Sequence, residues 1–112
     1  MIEMKRIALF SFFMFSTLLV FAANVYVATN GDDTQTGTSW GTAKLSIQAA
    51  VDIASAGDTI FVAEGTYNQS VKLKDGIHIF GGYSTSTGER DYDIYYTILE
   101  GIGLEKTLIN QT

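Results

Sequence analysis

The residues of this chain that are able to do chemistry are few and widely separated. His78 is the only histidine, and it lies between Ile77 and Ile79 in an apolar strand pattern. Without a cysteine or a second histidine, the chain cannot form a Cys–His nucleophile pair or a His/Cys zinc site. The acidic residues follow no spacing that selects a glycosidase pair. We therefore assign no catalytic residue and no metal ligand.

Two short charged motifs have both a functional and a structural interpretation. Lys72 and Lys74 alternate along a predicted strand, where they could hold the carboxylate of an acidic sugar in a lyase or simply form a solvated face. Asp32 and Asp33 lie in the polar loop 30–39, which lacks the spaced ligands and closing Glu of a calcium loop. We favour the structural interpretation of both motifs and expect no cofactor, with calcium left to a longer form of the protein.

Six aromatic side chains are candidates for stacking on sugar rings, because tyrosine and tryptophan combine a flat apolar body with a polar tip. These residues are Trp40, Tyr67, Tyr83, Tyr92, Tyr95 and Tyr96. Packing of turns is the alternative role, and it is the one that we favour. The substrate-binding residues therefore stay unknown from the sequence.

The N-terminus has the pattern of an export signal. Lys5 and Arg6 form a basic start, residues 7–21 are uncharged and rich in Phe and Leu, and Ala22 and Ala23 follow. This apolar run is shorter than the stretch of about 20 residues that spans a membrane. Cleavage after Ala22 fits the small-residue rule better than cleavage after Ala23, and an uncleaved anchor is the alternative. We expect no membrane span once the signal is removed.

Removal of residues 1–22 leaves five basic residues against eleven acidic ones, a net charge of −6. Nucleic acid is not an expected partner, because neutralising phosphates requires a basic stripe. The chain also has no cysteine, so no disulfide can stabilise an exported domain. Its stability must come from stacked apolar side chains or from additional chain.

Three short apolar segments recur with a fixed spacing. Segments 59–62, 78–81 and 97–100 align so that three isoleucines, Ile60, Ile79 and Ile98, fall in one column with a period of 19 residues. A period near twenty residues is typical of a solenoid, in which each turn of chain buries its apolar face against the next. We expect the isoleucines to point inward and a second column to point outward. The outward column consists of Phe61, Phe80 and Leu99.

A helix is predicted directly before the first of these segments. Its apolar stripe consists of Ile47, Ala50, Val51 and Ala54. Ser46 or Thr42 is the candidate N-cap, and Gly57 is the candidate left-handed C-cap. We expect this helix to cover the open end of the strand stack. Short strands are predicted over 24–29, 59–63, 71–73, 77–80, 97–99 and 107–109.

Several of these motifs, in this order, resemble the N-terminus of bacterial secreted right-handed parallel β-helix proteins of the pectate-lyase-like superfamily. The segments concerned are 26–33, 37–40, 47–50, 57–67, 76–83 and 97–101. The resemblance implies a secreted or outer-surface bacterial protein in contact with polysaccharide. In that superfamily the catalytic and calcium-binding residues of the lyases lie in later coils, which this chain does not contain.

The resulting prediction is an all-β fold, the opening coils of a right-handed parallel β-helix with an N-terminal amphipathic capping helix. Its divisions are a signal peptide at 1–22, a strand, polar loop and capping helix at 23–57, and first coils at 58–112 that lack their C-terminal continuation. The predicted function is non-catalytic binding of polysaccharide or a role at the cell surface. The alternatives are a fragment of a polysaccharide lyase or other carbohydrate-active enzyme, and a surface adhesin or stalk.

Overall fold

The computed structural model describes residues 21–101 and the strand at 107–108. The helices and strands of these residues are β1 Asn24–Val27, a 3₁₀ helix Trp40–Thr42, α1 Ile47–Ile53, β2 Thr59–Ala63, β3 Gly65–Tyr67, β4 His78–Tyr83, β5 Thr97–Leu99 and β6 Thr107–Leu108. Most of the predicted signal segment and the end of the last predicted strand lie outside the described residues. Nowhere in the described stretches is a helix both long and apolar enough to cross a membrane.

The strands form two small sheets. Sheet A has the order β1-β2-β4, and both of its pairings are parallel. Sheet B has the order β3-β5-β6, in which β3 and β5 are parallel and β5 and β6 are antiparallel. The described residues therefore form a small domain of two short sheets and one α-helix.

The prediction of a right-handed parallel β-helix solenoid is wrong for the described part of the chain, and the isoleucine column shows why. Ile60 and Ile79 are in-register partners in sheet A, but Ile98 lies in sheet B and pairs with Thr66. After β4 the chain turns back, with an antiparallel bridge from Tyr83 to Arg90, before it enters the other sheet. Equal spacing along the sequence gives equal spacing in space only when the intervening loops have the same geometry.

The main core lies between the inner face of sheet A and α1. Alternate residues of β1 and β2 supply its strand side, because successive side chains of a strand point to opposite faces. The buried residues of this core are Val25, Val27, Ile47, Ala50, Val51, Ala54, Ile60, Val62 and Tyr67. Leu99 packs against the same core, which contradicts its predicted place in an outward column, whereas Phe61 and Phe80 are only partly buried.

Helix α1 starts where the sequence predicts and ends before the predicted cap. The Ser46 hydroxyl accepts a hydrogen bond from the Ala49 amide at 3.1 Å, so Ser46 is the N-cap, whereas Thr42 lies in the 3₁₀ helix. The helix ends at Ile53, and its extended C-cap is Ala54. The helix packs on the face of β1 and β2, so its predicted position over the end of a stack is also wrong.

Gly57 has the positive φ that the sequence predicts, but in a turn rather than in a helix cap. Its φ is +94°, and the turn is closed by a hydrogen bond from the Asp58 amide to the Ser55 carbonyl at 2.9 Å. Residues 71–73, which were predicted as a strand, do not form one. Its backbone is held by the Gln48 side chain, whose Oε1 accepts from the Lys72 amide at 2.7 Å.

We expect Ile60→Ala to lower the free energy of unfolding by about 2–5 kcal/mol, because it removes a fully buried side chain from the middle of the core. Urea unfolding followed by circular dichroism measures this change. Ile53→Ala is the matched control, since Ile53 is 51% exposed on α1, and we expect it to cost less than about 1 kcal/mol. Equal losses in the two variants would contradict the assignment of the core.

We expect Gly57→Ala to lower the free energy of unfolding by about 1 kcal/mol, because alanine is strained at a φ of +94°. Apart from Gly57 and its two chain neighbours, no described residue has an atom within 4 Å of the added Cβ, so the cost is one of backbone conformation rather than crowding. Gly41→Ala, at a glycine without positive φ, is the control. A Gly57→Ala protein as stable as the parent would show that this turn adopts another geometry.

Candidate functional site

The outer face of sheet A carries a column of aromatic side chains. Tyr26, Phe61 and Phe80 are in-register partners on β1, β2 and β4. They face away from the main core because each lies one position from a residue that points into it, such as Val25 or Ile60. All three are partly buried, so each leaves part of its ring at the surface.

A β-bulge in β4 turns a further aromatic residue to this face. Phe61 pairs with Phe80, but Ala63 pairs with Tyr83, so β4 has one residue more than β2 over this interval. Regular alternation would place Tyr83 on the inner face, and the extra residue reverses its direction. The backbone of the bulge requires a glycine at position 82, because Gly82 has a φ of +84°, which other residues rarely adopt.

Thr97 of sheet B holds this bulge in place. Its hydroxyl oxygen accepts a hydrogen bond from the Gly82 amide at 3.0 Å and donates toward the Ala63 carbonyl at 3.0 Å. The side chain is fully buried, so these groups cannot exchange their bonds for water. Thr97 thus connects the two sheets at the position that determines where Tyr83 points.

Trp40 completes a closed ring of four aromatic side chains, which we call the aromatic quartet: Tyr26, Trp40, Phe61 and Tyr83. The Trp40 centroid lies 4.9 Å from that of Tyr26 and 5.5 Å from that of Tyr83. Phe61 lies 5.4 Å from Tyr26 and 5.2 Å from Tyr83. The edge-to-face and tilted geometries are those that aromatic pairs prefer.

Small residues lie beneath the quartet and let its rings approach the backbone. Ala28, Ala43 and Ala63 form a second buried cluster, against which Tyr26 and Trp40 pack. The loop that carries Trp40 is fixed by Lys44, which is only 8% exposed. Its Nζ donates to the carbonyls of Asp33 and Gln35 at 2.9 and 2.6 Å.

Arg90 extends the quartet at one side. Its guanidinium carbon lies 5.5 Å from the centroid of Phe80, 5.8 Å from that of Tyr83 and 5.5 Å from that of Tyr92. Its Nε donates to the Gly81 carbonyl at 2.9 Å, which fixes the guanidinium over these rings. Distances below about 6 Å are those of cation–π contacts. The surface formed by the quartet, Phe80, Arg90 and Tyr92 is called the aromatic face below.

The chemical environment of Tyr83 keeps its hydroxyl neutral. Partial burial raises the pKa of Tyr83, the nearby Arg90 charge opposes that rise, and Tyr26 adds to it. The Tyr83 hydroxyl therefore remains a neutral hydrogen-bonding group at physiological pH. The face thus combines apolar ring surface with the hydroxyl groups of its tyrosines.

The sugar-stacking candidates of the sequence fall into two groups. Trp40, Tyr83 and Tyr92 come together on the aromatic face. Tyr67 does not, because it is 3% exposed in the main core, where its hydroxyl donates to the Ala63 carbonyl at 3.0 Å. Burial, with a smaller effect of Glu64, raises the pKa of Tyr67 strongly.

The other two tyrosines lie close together in sequence, ahead of β5. Tyr95 is partly buried, and Tyr96 is 52% exposed. The Tyr96 hydroxyl donates to the Asp93 carbonyl at 2.9 Å. No ring contact places Tyr96 in the quartet, and it serves below as a control for the aromatic face.

Of the three residues Lys72, Lys74 and His78, which the sequence analysis examined for chemistry, only Lys74 has a side-chain contact with a structural role. Lys74 Nζ donates to the carbonyls of Asp52 and Ala54 at 2.8 and 3.2 Å, which satisfies the C-terminal end of α1. Lys72 is exposed, and its amide is held by Gln48. His78 is exposed at the start of β4. These side chains do not form one site.

The two carboxylates of the polar loop bind main-chain and side-chain groups of the protein. Asp32 Oδ1 accepts from the amide and hydroxyl of Thr34 at 2.8 and 2.7 Å, and these bonds lower its pKa. Burial would raise the pKa of Asp33, but bonds from Ser46 and the Leu45 amide outweigh it and lower that pKa. Asp33 thereby ties the loop to the start of α1.

A separate open cleft of about 400 Å³ lies between the start of α1 and β3. Its lining residues are Thr29, Leu45, Ser46, Thr66, Tyr67, Asn68 and Gln69. Gln69 Oε1 accepts from the amides of Ile47 and Gln48 at 2.7 and 3.3 Å, so its acceptor is already engaged at the helix start. Among the residues that the structure describes, no group of three or more His, Cys, Asp or Glu side chains is arranged to hold a metal ion.

Sequence reasoning placed Phe61 and Phe80 in one outward column, but it missed Tyr26 and Arg90 of the aromatic face and the supporting role of Thr97. Tyr26 lies 35 positions before Phe61, which does not fit the 19-residue period. The roles of Arg90 and Thr97 depend on the fold of the loop between β4 and β5. The Gly81-Gly82 pair was the one available signal, since a glycine pair within a strand pattern suggests a bulge.

The comparisons with known proteins assign no family to the chain. No protein-family model matches it, and neither the curated proteins nor the solved structures contain a significant match.

We expect Thr97→Val to lower the free energy of unfolding by about 1–3 kcal/mol, because it leaves the buried Gly82 amide without its acceptor. The near-ultraviolet circular dichroism of the quartet should change with it, since the bulge orients Tyr83. Thr66→Val, at an exposed position of the same sheet, is the control and should change neither quantity. An unchanged near-ultraviolet spectrum in Thr97→Val would contradict the control of Tyr83 by the bulge.

Proposed function

We propose that this chain is a non-catalytic, polysaccharide-binding part of an exported bacterial protein, and that the aromatic face is its binding surface. The observation that carries the proposal is the closed aromatic quartet on the outer face of sheet A, extended by Arg90 and Tyr92. Its rings are only partly covered, and Tyr92 is 53% exposed. An apolar surface rimmed by polar residues is typical of a binding site.

Sugars suit such a surface because one face of a pyranose ring presents C–H groups while its hydroxyls point outward. Stacking places the C–H face on an aromatic ring and leaves the hydroxyls to the polar rim. The rim here includes the loop 84–89, whose Ser86, Thr87 and Glu89 are exposed. The buried Ser84 hydroxyl holds this loop in shape, because it accepts from the amides of Ser86 and Thr87. That loop packs on Trp40, since a Cβ added at Gly88 would lie 2.8 Å from Trp40 Nε1.

Charge favours a neutral polysaccharide over one rich in uronic acids. The chain without residues 1–22 has a net charge of −6, and this field repels an acidic polymer. Arg90 is the cation of the aromatic face, and it already contacts three rings. Binding through this surface is therefore dominated by stacking rather than by charge pairing.

We expect Trp40→Ala to weaken binding to a neutral polysaccharide about tenfold, because the loss of one stacking ring corresponds to about 1.4 kcal/mol. Affinity gel electrophoresis in gels containing soluble neutral polysaccharides measures the change. Tyr92→Ala removes a more exposed ring and should weaken binding to a smaller extent. Pectin-type acidic polymers should retard the parent protein less than neutral ones do.

Tyr96→Ala is the matched control, since Tyr96 is similarly exposed but lies outside the aromatic face. Thermal unfolding of every variant shows whether a loss of retardation comes from unfolding. Equal retardation of the parent and the folded Tyr92→Ala and Trp40→Ala proteins on every polysaccharide would refute the proposal. Release of unsaturated sugar products from pectin-type substrates would refute its non-catalytic part.

A further inference from the structure

Ala23 is fixed to the domain through both of its main-chain groups. Its amide nitrogen donates to Asp58 Oδ1 at 2.8 Å, and its carbonyl accepts from the Thr59 amide at 3.0 Å. The second bond lies directly before the parallel pairing of β1 and β2, whose first in-register pair is Asn24 and Thr59. Of the residues described from position 21 onward, Ala23 is therefore the first one held in register with sheet A.

The carboxylate that holds Ala23 belongs to a buried residue. Asp58 is 7% exposed, and its second oxygen accepts from the Ser55 amide at 2.8 Å. The bonds from Ser55 and Ala23 keep the pKa of Asp58 below its ordinary value, so the group is ionised at neutral pH. A negative charge thus lies within hydrogen-bond distance of the nitrogen that follows Ala22.

The structure assigns Ala23 as the N-terminus of the mature protein and Asp58 as the carboxylate that binds its ammonium group. This inference rests on the export signal predicted from the sequence and is independent of polysaccharide binding. A signal peptidase hydrolyses the Ala22–Ala23 bond, and the oxygen of water ends on the Ala22 carboxylate. Ala23 keeps its nitrogen as an amine, which takes up a proton from solvent to become ammonium. Cleavage then replaces a neutral amide donor with a charged one at the same place.

The structure also distinguishes the two cleavage positions that the sequence allows. Cleavage after Ala23 would remove that residue together with its bonds to Asp58 and Thr59. Cleavage after Ala22 keeps both bonds. The bond before Ala23 is also accessible, because the Phe21 side chain is 82% exposed and Ala22 is exposed. Ala23 and Asn24 are exposed as well, so the two hydrogen bonds of Ala23, rather than access from solvent, distinguish the two cleavage positions.

Two measurements test the assignment. The first is the mass of the protein exported by a bacterial host that expresses the full 112-residue chain. We expect a product that begins at Ala23. A product that begins at Asn24, or one that keeps its first residues, would overturn the inference.

The second measurement is the effect of the α-ammonium on thermal stability. An N-terminal acetyltransferase neutralises the α-amine of the mature chain without modifying its lysines. We expect acetylation to lower the Tm by about 3–6 °C, because the charged donor to Asp58 is lost. In the Asp58→Asn protein the same modification should change the Tm by less than about 1 °C, since the two effects depend on one contact.

Asp75→Asn is the charge-matched control, because Asp75 is an exposed carboxylate in the loop before β4. In that variant, acetylation should lower the Tm as much as in the parent. Should Asp58→Asn fail to fold, insertion of one alanine between Ala22 and Ala23 provides a second test, since it moves the ammonium one residue away and keeps Asp58. We expect it to lower the Tm as acetylation does. A Tm that neither acetylation nor insertion changes would overturn the inference.

Discussion

The relative placement of the two sheets depends on the hydrogen bonds of the Thr97 hydroxyl group. It is a buried polar group that joins the first strand residue of β5 to the bulge of β4 and to the carbonyl end of β2. Without it, the Gly82 amide would be buried without an acceptor, and regular alternation of β4 would be the favoured alternative. One side chain of sheet B therefore decides which side of sheet A receives Tyr83.

The two faces of sheet A differ in how far their side chains are buried. The inner face is a conventional apolar core, in which Val25, Val27, Ile60 and Val62 pack on the small and branched residues of α1. The outer face carries rings that are too large to be covered by the short loops that cross it, so part of the aromatic surface stays in contact with water. The same pleat that buries the aliphatic side chains thus presents the aromatic ones.

Most of the charged and amide side chains near α1 bind main-chain groups that would otherwise lack a hydrogen-bond partner. Asp33 and Gln69 accept from main-chain amides at the start of α1, Lys74 donates to carbonyls at its end, and Asp58 closes the turn before β2. A helix of only seven residues leaves most of its terminal amides and carbonyls without helical partners. Side chains from distant parts of the sequence therefore supply those partners, which explains why charged residues surround α1.

The sequence by itself determined α1, β2 and the facing of the β2 residues, but it missed β3 and predicted a strand at 71–73 that does not form. The stripe of Ile47, Ala50 and Val51 predicted α1 with Ser46 or Thr42 as its N-cap, of which the structure shows Ser46. Period-two alternation predicted Ile60 as buried and Phe61 as outward. The pairing of Ile60 with Ile79 also followed from the repeat. These features depend on periodicity and on neighbouring residues, which a linear sequence displays directly.

The tertiary structure alone decided how the segments combine. It placed Ile98 in the second sheet, so the predicted solenoid was lost, and it brought Tyr26, Trp40 and Tyr83 into one ring of contacts. Both outcomes depend on loop geometry and on a one-residue bulge. A change of one residue in a strand reverses the side to which every later side chain points, and the repeat in the sequence contains no information about that change.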